Sequence, residues 1–171
     1  INVSSCTGGT INFSGTTKTL NTPTVTPVTL ASNGGTTINF SGGGLTITSS
    51  TATGFNATGG AAAINVTGTG NTISSTTGTA LNVVSSTIGA SGITFQSISA
   101  NGSANGITLN NTGNSGGLTV TGTAATDGSG GTIQNITNRG ISIITSVNLN
   151  LKNMFLNNAN MTDASPCGAS D

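Results

Sequence analysis

The sequence predicts an all-β chain wound as a single-stranded parallel β-helix, a β-solenoid of about six three-sided coils. Three observations carry that prediction. The hexapeptide TINFSG occurs at residues 10–15 and again, unchanged, at 37–42, and INVTG follows at 64–68, so the offsets are 27 and then 26 residues. Apolar residues in these copies recur at every second position, the spacing of a strand with one buried face. Finally, 27 Gly, 34 Thr, 22 Asn and 21 Ser stand beside only 4% charged residues in a chain of 171. Disordered chains of similar polarity are usually charged and poor in β-branched residues, so this composition reads as ordered strand and turn.

The chain divides into a lead-in or cap at 1–9, β-helix repeats at 10–162 and a connector at 163–171, where ASPCGASD has a proline and no alternation. Within the repeats, looser copies continue the series as LNVVS (81–85), ITLNN (107–111) and ISIIT (141–145). Aligned, they predict one inward column of Ile11, Ile38, Ile64, Leu81, Ile107 and Ile141 and a second of Phe13, Phe40, Val66, Val83, Leu109 and Ile143. Between them, Asn12, Asn39, Asn65, Asn82, Thr108 and Ser142 should form an outward polar column.

A second strand per coil is read at Leu45 and Ile47, Ile73, Ile93 and Phe95, Leu118 and Val120, and Leu149 and Leu151, and a third near Phe55, Ile98, Ile133 and Phe155. Gly and Asn between the strands supply the positive φ angles of sharp corners. The segment TGTAATDGSGGTIQ (121–134) reads as an insertion into one coil.

The TINFSG and INVTG rungs, the strand entries NGIT (105–108) and RGIS (139–142) and the Gly/Asn corners resemble right-handed parallel β-helix repeats of the pectate-lyase-like kind. They are most similar to those of large secreted or surface-displayed bacterial proteins. The resemblance implies the handedness, an extracellular or cell-surface location and, for enzymes of this kind, clustered acidic residues with calcium and a basic residue.

That catalytic inventory is missing. The sequence has no His, Glu, Trp or Tyr, and its ionisable side chains other than cysteine are Lys18, Arg139, Lys152, Asp127, Asp163 and Asp171. General acid/base chemistry needs two titratable groups held together, and calcium usually needs several carboxylates. No enzyme activity, cofactor or metal is therefore expected. Net charge is zero with no basic cluster, so nucleic acid is not an expected partner. No apolar run approaches the roughly 18 residues of a membrane span, so no membrane insertion is expected.

Two stretches, GGLTITSS (43–50) and GGLTVTGT (116–123), carry Thr-aliphatic-Thr. A repeated grid of such rows can bind ice, but NTISS (71–75) and GITFQ (92–96) intervene, and the bland reading is that Thr is favoured on the outside of a strand. Cys6 and Cys167 flank the repeats. The length of the rod sets them apart, so they are candidates for an intermolecular disulfide between stacked copies.

The expected function is a structural module of an extracellular fibre, stalk or adhesin. Its partners would be further copies stacked end to end or neighbouring repeats of a longer chain. The alternative is a glycan- or ice-binding solenoid using the outward Asn and Thr columns. The opening INVSSC, without Met, reads as a processed or excised product.

Overall fold

The computed structural model describes residues 1–60 and 62–157, and all of its regular secondary structure is β. The chain makes six coils of three strands each. The first is β1 (Asn2–Ser4), β2 (Thr10–Phe13) and β3 (Lys18–Asn21), the second β4 (Val28–Ala31), β5 (Thr37–Phe40) and β6 (Leu45–Ser49). The third is β7 (Phe55–Thr58), β8 (Ala63–Val66) and β9 (Thr72–Ser75), the fourth β10 (Leu81–Val84), β11 (Thr87–Phe95) and β12 (Ser97–Asn101). The fifth is β13 (Asn105–Asn110), β14 (Leu118–Val120) and β15 (Thr132–Gln134), the last β16 (Arg139–Ile144), β17 (Asn150–Leu151) and β18 (Phe155–Asn157).

Every third strand pairs in parallel, giving three six-stranded sheets: β1-β4-β7-β10-β13-β16, β2-β5-β8-β11-β14-β17 and β3-β6-β9-β12-β15-β18. The β-solenoid of about six three-sided coils read from the sequence is therefore the fold. Residues 1–9, read as a lead-in, contain β1, whose Val3 pairs with Leu30 of β4 as the first rung of the first sheet.

The columns follow a different registration from the sequence alignment. Ile11, Ile38 and Ile64 do stack in the second sheet, with Phe13, Phe40 and Val66 beside them. Leu81 does not continue that column. It lies between Phe55 and Ile107 in the first sheet, and Ile107 pairs with Ile141. Val83, Leu109 and Ile143 likewise follow Val3, Leu30 and Ala57. What continues the second sheet beyond Val66 is Ile93, then Leu118. The aligned copies at 64 and 81 are only 17 residues apart, too few for a full coil. The step from INVTG to LNVVS thus moves from the second sheet to the first of the next coil.

The core is one continuous apolar cluster of Ile, Leu, Val, Ala and Phe along the axis. Phe13 stacks on Phe40 at a centroid distance of 4.8 Å, Phe40 meets Phe55 edge-on at 5.7 Å, and Phe55 meets Phe95 edge-on at 6.3 Å. This row of rings links four coils and two sheets, and such edge-to-face pairs add to the burial energy. Of the columns read as inward, the members on the terminal coils are the least covered. Ile11, Phe13 and Ile141 are half-buried, and Ile143 is 42% exposed.

One bend recurs in all six coils. The residue directly after each first-sheet strand is left-handed: Ser5, Ser32, Gly59, Ser85, Asn111 and Thr145, with φ between 48° and 64°. A single residue of positive φ turns the chain from the first sheet toward the second, and Asn, Gly and Ser tolerate it better than a β-branched residue. The corner between the second and third sheets is set by packing. Gly43 (φ 74°) and Gly68 (φ 87°) of successive coils touch backbone to backbone, and a Cβ on Gly68 would lie 2.8 Å from Gly43 Cα. Only glycine lets two coils approach at that corner.

Candidate functional site

With the inward face of every strand committed to the core, function is left to the outward columns, the corners and the two ends. The outward column read as continuous is two ladders on different sheets. On the second sheet, Asn39 Nδ2 donates to Asn12 Oδ1 and Asn65 Nδ2 to Asn39 Oδ1, both at 2.9 Å. The ladder ends above Asn65 because β11 is irregular between Ile88 and Ile93. There the Ser91 backbone N–H donates to Asn65 Oδ1 at 3.1 Å. That backbone donor fixes the amide orientation, so every Nδ2 in the ladder points toward the N-terminal end.

Asn82 belongs to the first sheet, where its Nδ2 donates to Asn56 Oδ1 at 2.7 Å, and Thr108 and Ser142 follow it. This column starts at Asn2 and Thr29. Asn135 to Asn101 (2.7 Å) and Asn138 to Asn105 (3.1 Å) repeat the same coil-to-coil bond.

The outward face of the third sheet is a hydroxyl grid. Thr19, Thr46, Thr72 and Ser97 form one column, and Asn21, Thr48, Ser74 and Ser99 the other, two positions further along each strand. NTISS therefore continues the Thr-aliphatic-Thr row of β6, where the sequence alignment had it interrupting. Thr119-Val120-Thr121 is not part of this face, since β14 lies in the second sheet. Rungs about 4.8 Å apart and alternate residues about 6.7 Å apart give the grid its two repeats.

Two buried asparagines were not singled out by the sequence. Asn71 Oδ1 accepts the Leu45 N–H at 3.0 Å, while its Nδ2 donates to the carbonyls of Thr67, Gly68 and Thr94 at 3.3, 3.2 and 3.0 Å. Asn33 accepts from the Cys6 N–H at 3.1 Å and donates to the Val3 carbonyl at 2.9 Å. Each plugs a corner where backbone groups have no strand partner. The signal available was their position at a small-residue corner, Asn71 just ahead of β9 and Asn33 just after β4, but many Asn in this chain share it.

Charged groups are dispersed. Lys18 occupies an inward register position opposite Leu45, yet its ammonium turns back to donate to the carbonyls of Gly15, Ser41 (2.9 Å) and Gly43 (2.6 Å). Asp127 is exposed in the loop between β14 and β15, which is the insertion expected at 121–134, and Arg139 is exposed at the start of β16. That loop is tied to the last coil by Asn153 Nδ2, which donates to the Ala124 carbonyl at 2.7 Å. Among the described residues no three His, Cys, Asp or Glu side chains gather to hold a metal. Cys6 is a half-buried thiol whose Sγ lies 3.8 Å from the Ser4 carbonyl oxygen, and Cys167 lies outside the described residues.

Among the described residues no element covers either end. At the C-terminal end Ile143, Ile144, Phe155 and Leu156 expose 42, 52, 48 and 60% of their surface, the main concentration of exposed large apolar side chains among the described residues. At the N-terminal end Ile1, Ile11, Phe13 and Leu20 are only half-buried. Comparison with family models, with curated proteins and with solved structures finds no match to this chain.

Proposed function

We propose that the chain is a non-enzymatic structural module of an extracellular fibre, stalk or adhesin, built to stack end to end or onto neighbouring repeats of a longer chain. The observation that carries this reading is the pair of open ends. Both terminal coils present strand edges and uncovered core side chains, and edges left without covering elements are templates for pairing with another chain. A heterologous contact of that kind propagates into a filament.

The extracellular assignment rests on the charge-poor, Asn- and Thr-rich composition and on the resemblance to β-helix repeats of secreted and surface-displayed bacterial proteins. The absence of catalysis rests on the side-chain inventory: pectin and related polymers should not be cleaved, and Asp127→Ala should change nothing.

Electron microscopy with and without reductant tests the reading. Rods with an axial repeat of roughly 29 Å, the height of six rungs, are the expected result. Monodisperse short particles under both conditions would sink it. Loss of the rods on reduction would assign Cys6 and Cys167 to the junction.

A second reading, a binding solenoid for ice or glycans, is favoured by the hydroxyl grid on the third sheet. Thermal hysteresis that disappears in Thr48→Lys, or glycan binding lost in Asn39→Ala, would promote it over the structural one.

A further inference from the structure

Resting on the structural reading above, we infer that the surface covering the last coil is the first coil of a second copy. The two meet head to tail, with Val3 opposite Ile143 and Ser4 opposite Ile144. The argument starts from register. In the first sheet the outward line Ser4, Ala31, Thr58, Val84, Asn110, Ile144 runs through all six coils without insertion or slip, and so does the inward line from Val3 to Ile143. In the third sheet no paired line spans all six coils: Leu20, Ile47, Ile73 and Ile98 run from the first coil to the fourth, and Ser49, Ser75, Ala100, Ile133 and Leu156 from the second to the last. The first sheet therefore arrives at the C-terminal end in the positions at which it began. The step that relates one coil to the next places a second copy's first coil on the last one, in parallel pairing.

Chemistry at the two ends agrees with that step. Apolar residues uncovered at one end, Ile143 among them, meet apolar inward positions at the other. The usual safeguards of an edge are charge, proline and covering elements. β16, β17 and β18 contain no proline, and their only charge is Arg139 at the first position of β16. In the first coil the Lys18 ammonium is held by the carbonyl of Gly15 in its own coil and by those of Ser41 and Gly43 in the second. The asparagine ladder has the matching polarity. Asn12 uses Oδ1 toward Asn39, so its amide donor remains for an acceptor in a preceding coil, the role that Asn12 Oδ1 plays for Asn39.

Cysteine pairing tests the junction directly. Adjacent parallel strands stand about 4.8 Å apart, within the Cα separation a disulfide accepts. One chain carries Ser4→Cys and another Ile144→Cys, both with Cys6 and Cys167 replaced by Ser. Both new thiols sit at outward, exposed positions where the fold tolerates them. Mild oxidation of the mixture is expected to give the 4–144 heterodimer well above either homodimer, and Leu156→Lys in the second chain is expected to abolish it.

Predominant 4–4 or 144–144 products would mean that like ends meet, and would overturn the inference. So would rods that form without any 4–144 product, which would leave the fibre reading standing. Cross-linking that appears only after removal of residues 158–171 would assign the apolar end to that segment and also overturn it. Cross-linked pairs that never extend into rods would uphold the junction while defeating the fibre reading.

Discussion

Asn71 Oδ1 accepts the backbone N–H of Leu45, 26 residues earlier, at 3.0 Å, and the two residues belong to successive coils. The bond joins side chain to main chain at the corner where the third sheet begins. It shows how this solenoid closes its turns: a buried amide replaces the strand partner that a bend removes.

The consequence is a large cost for its removal. Asn71→Ala leaves the buried Leu45 N–H without its acceptor and takes a donor from the carbonyls of Thr67, Gly68 and Thr94, and an unsatisfied buried polar group costs about 1–3 kcal/mol. Asn71 is essentially inaccessible to solvent. Asn71→Ala is therefore expected to lower unfolding stability by about 3 kcal/mol. Asn39→Ala, which breaks two ladder bonds that water can replace, should cost no more than about 1 kcal/mol. Urea titrations of the two variants check the order, and equal midpoints would contradict it.

Gly43 and Gly70 separate conformational strain from collision. Both have positive φ, 74° and 72°. A Cβ at Gly70 meets open space, whereas at Gly43 it would lie 2.8 Å from the Thr69 amide nitrogen and closer still to its carbonyl oxygen. Gly70→Ala should cost about 1–2 kcal/mol, the left-handed penalty alone. Gly43→Ala should cost clearly more, because backbone of the next coil must move. Thermal unfolding of the two single variants gives the comparison.

Thr145 is the one β-branched residue at the recurrent left-handed bend, with φ 48°. The five equivalent bends use Ser, Asn or Gly. Relief of strain makes Thr145→Asn stabilising by about 0.5–1 kcal/mol. The readout is amide exchange in β16, which should slow, while the central coils stay unchanged.

Register decides what a phenylalanine contributes. Phe55 is fully buried between Phe40 and Phe95, so Phe55→Ala is expected to cost about 3–5 kcal/mol. Phe155 pairs with Thr132 on the outward side of the third sheet and is 48% exposed, so Phe155→Ala should cost under about 1 kcal/mol. If stacked copies cover the last coil, the cost of Leu156→Ala, at the inward position next to Ile133, rises with protein concentration, which chemical denaturation over a concentration series would reveal.

The architecture was legible in the sequence: parallel strands, three sides, about six coils and the inward residues of the strands that the repeats aligned. Period-two alternation and an offset of 26–27 residues are properties of the chain, legible without any contact. TINFSG at 10 and 37 pairs residue for residue in β2 and β5. The hydroxyl grid and both asparagine ladders were present as residues, but the sheet each belongs to was not.

Only the tertiary structure decided registration. All three sheets ask for the same short pattern, an apolar residue on either side of a polar one, so INVT at 64 and LNVV at 81 look equivalent although one pairs into the second sheet and the other into the first. PVTLA at 27–31 shows the same ambiguity, with Val28 and Leu30 fully buried in a strand that the aligned copies passed over. Backbone hydrogen bonds between coils, spaced by the rise of the solenoid and not by sequence similarity, choose among these equivalents. That choice also sets which apolar residues remain uncovered at the two ends.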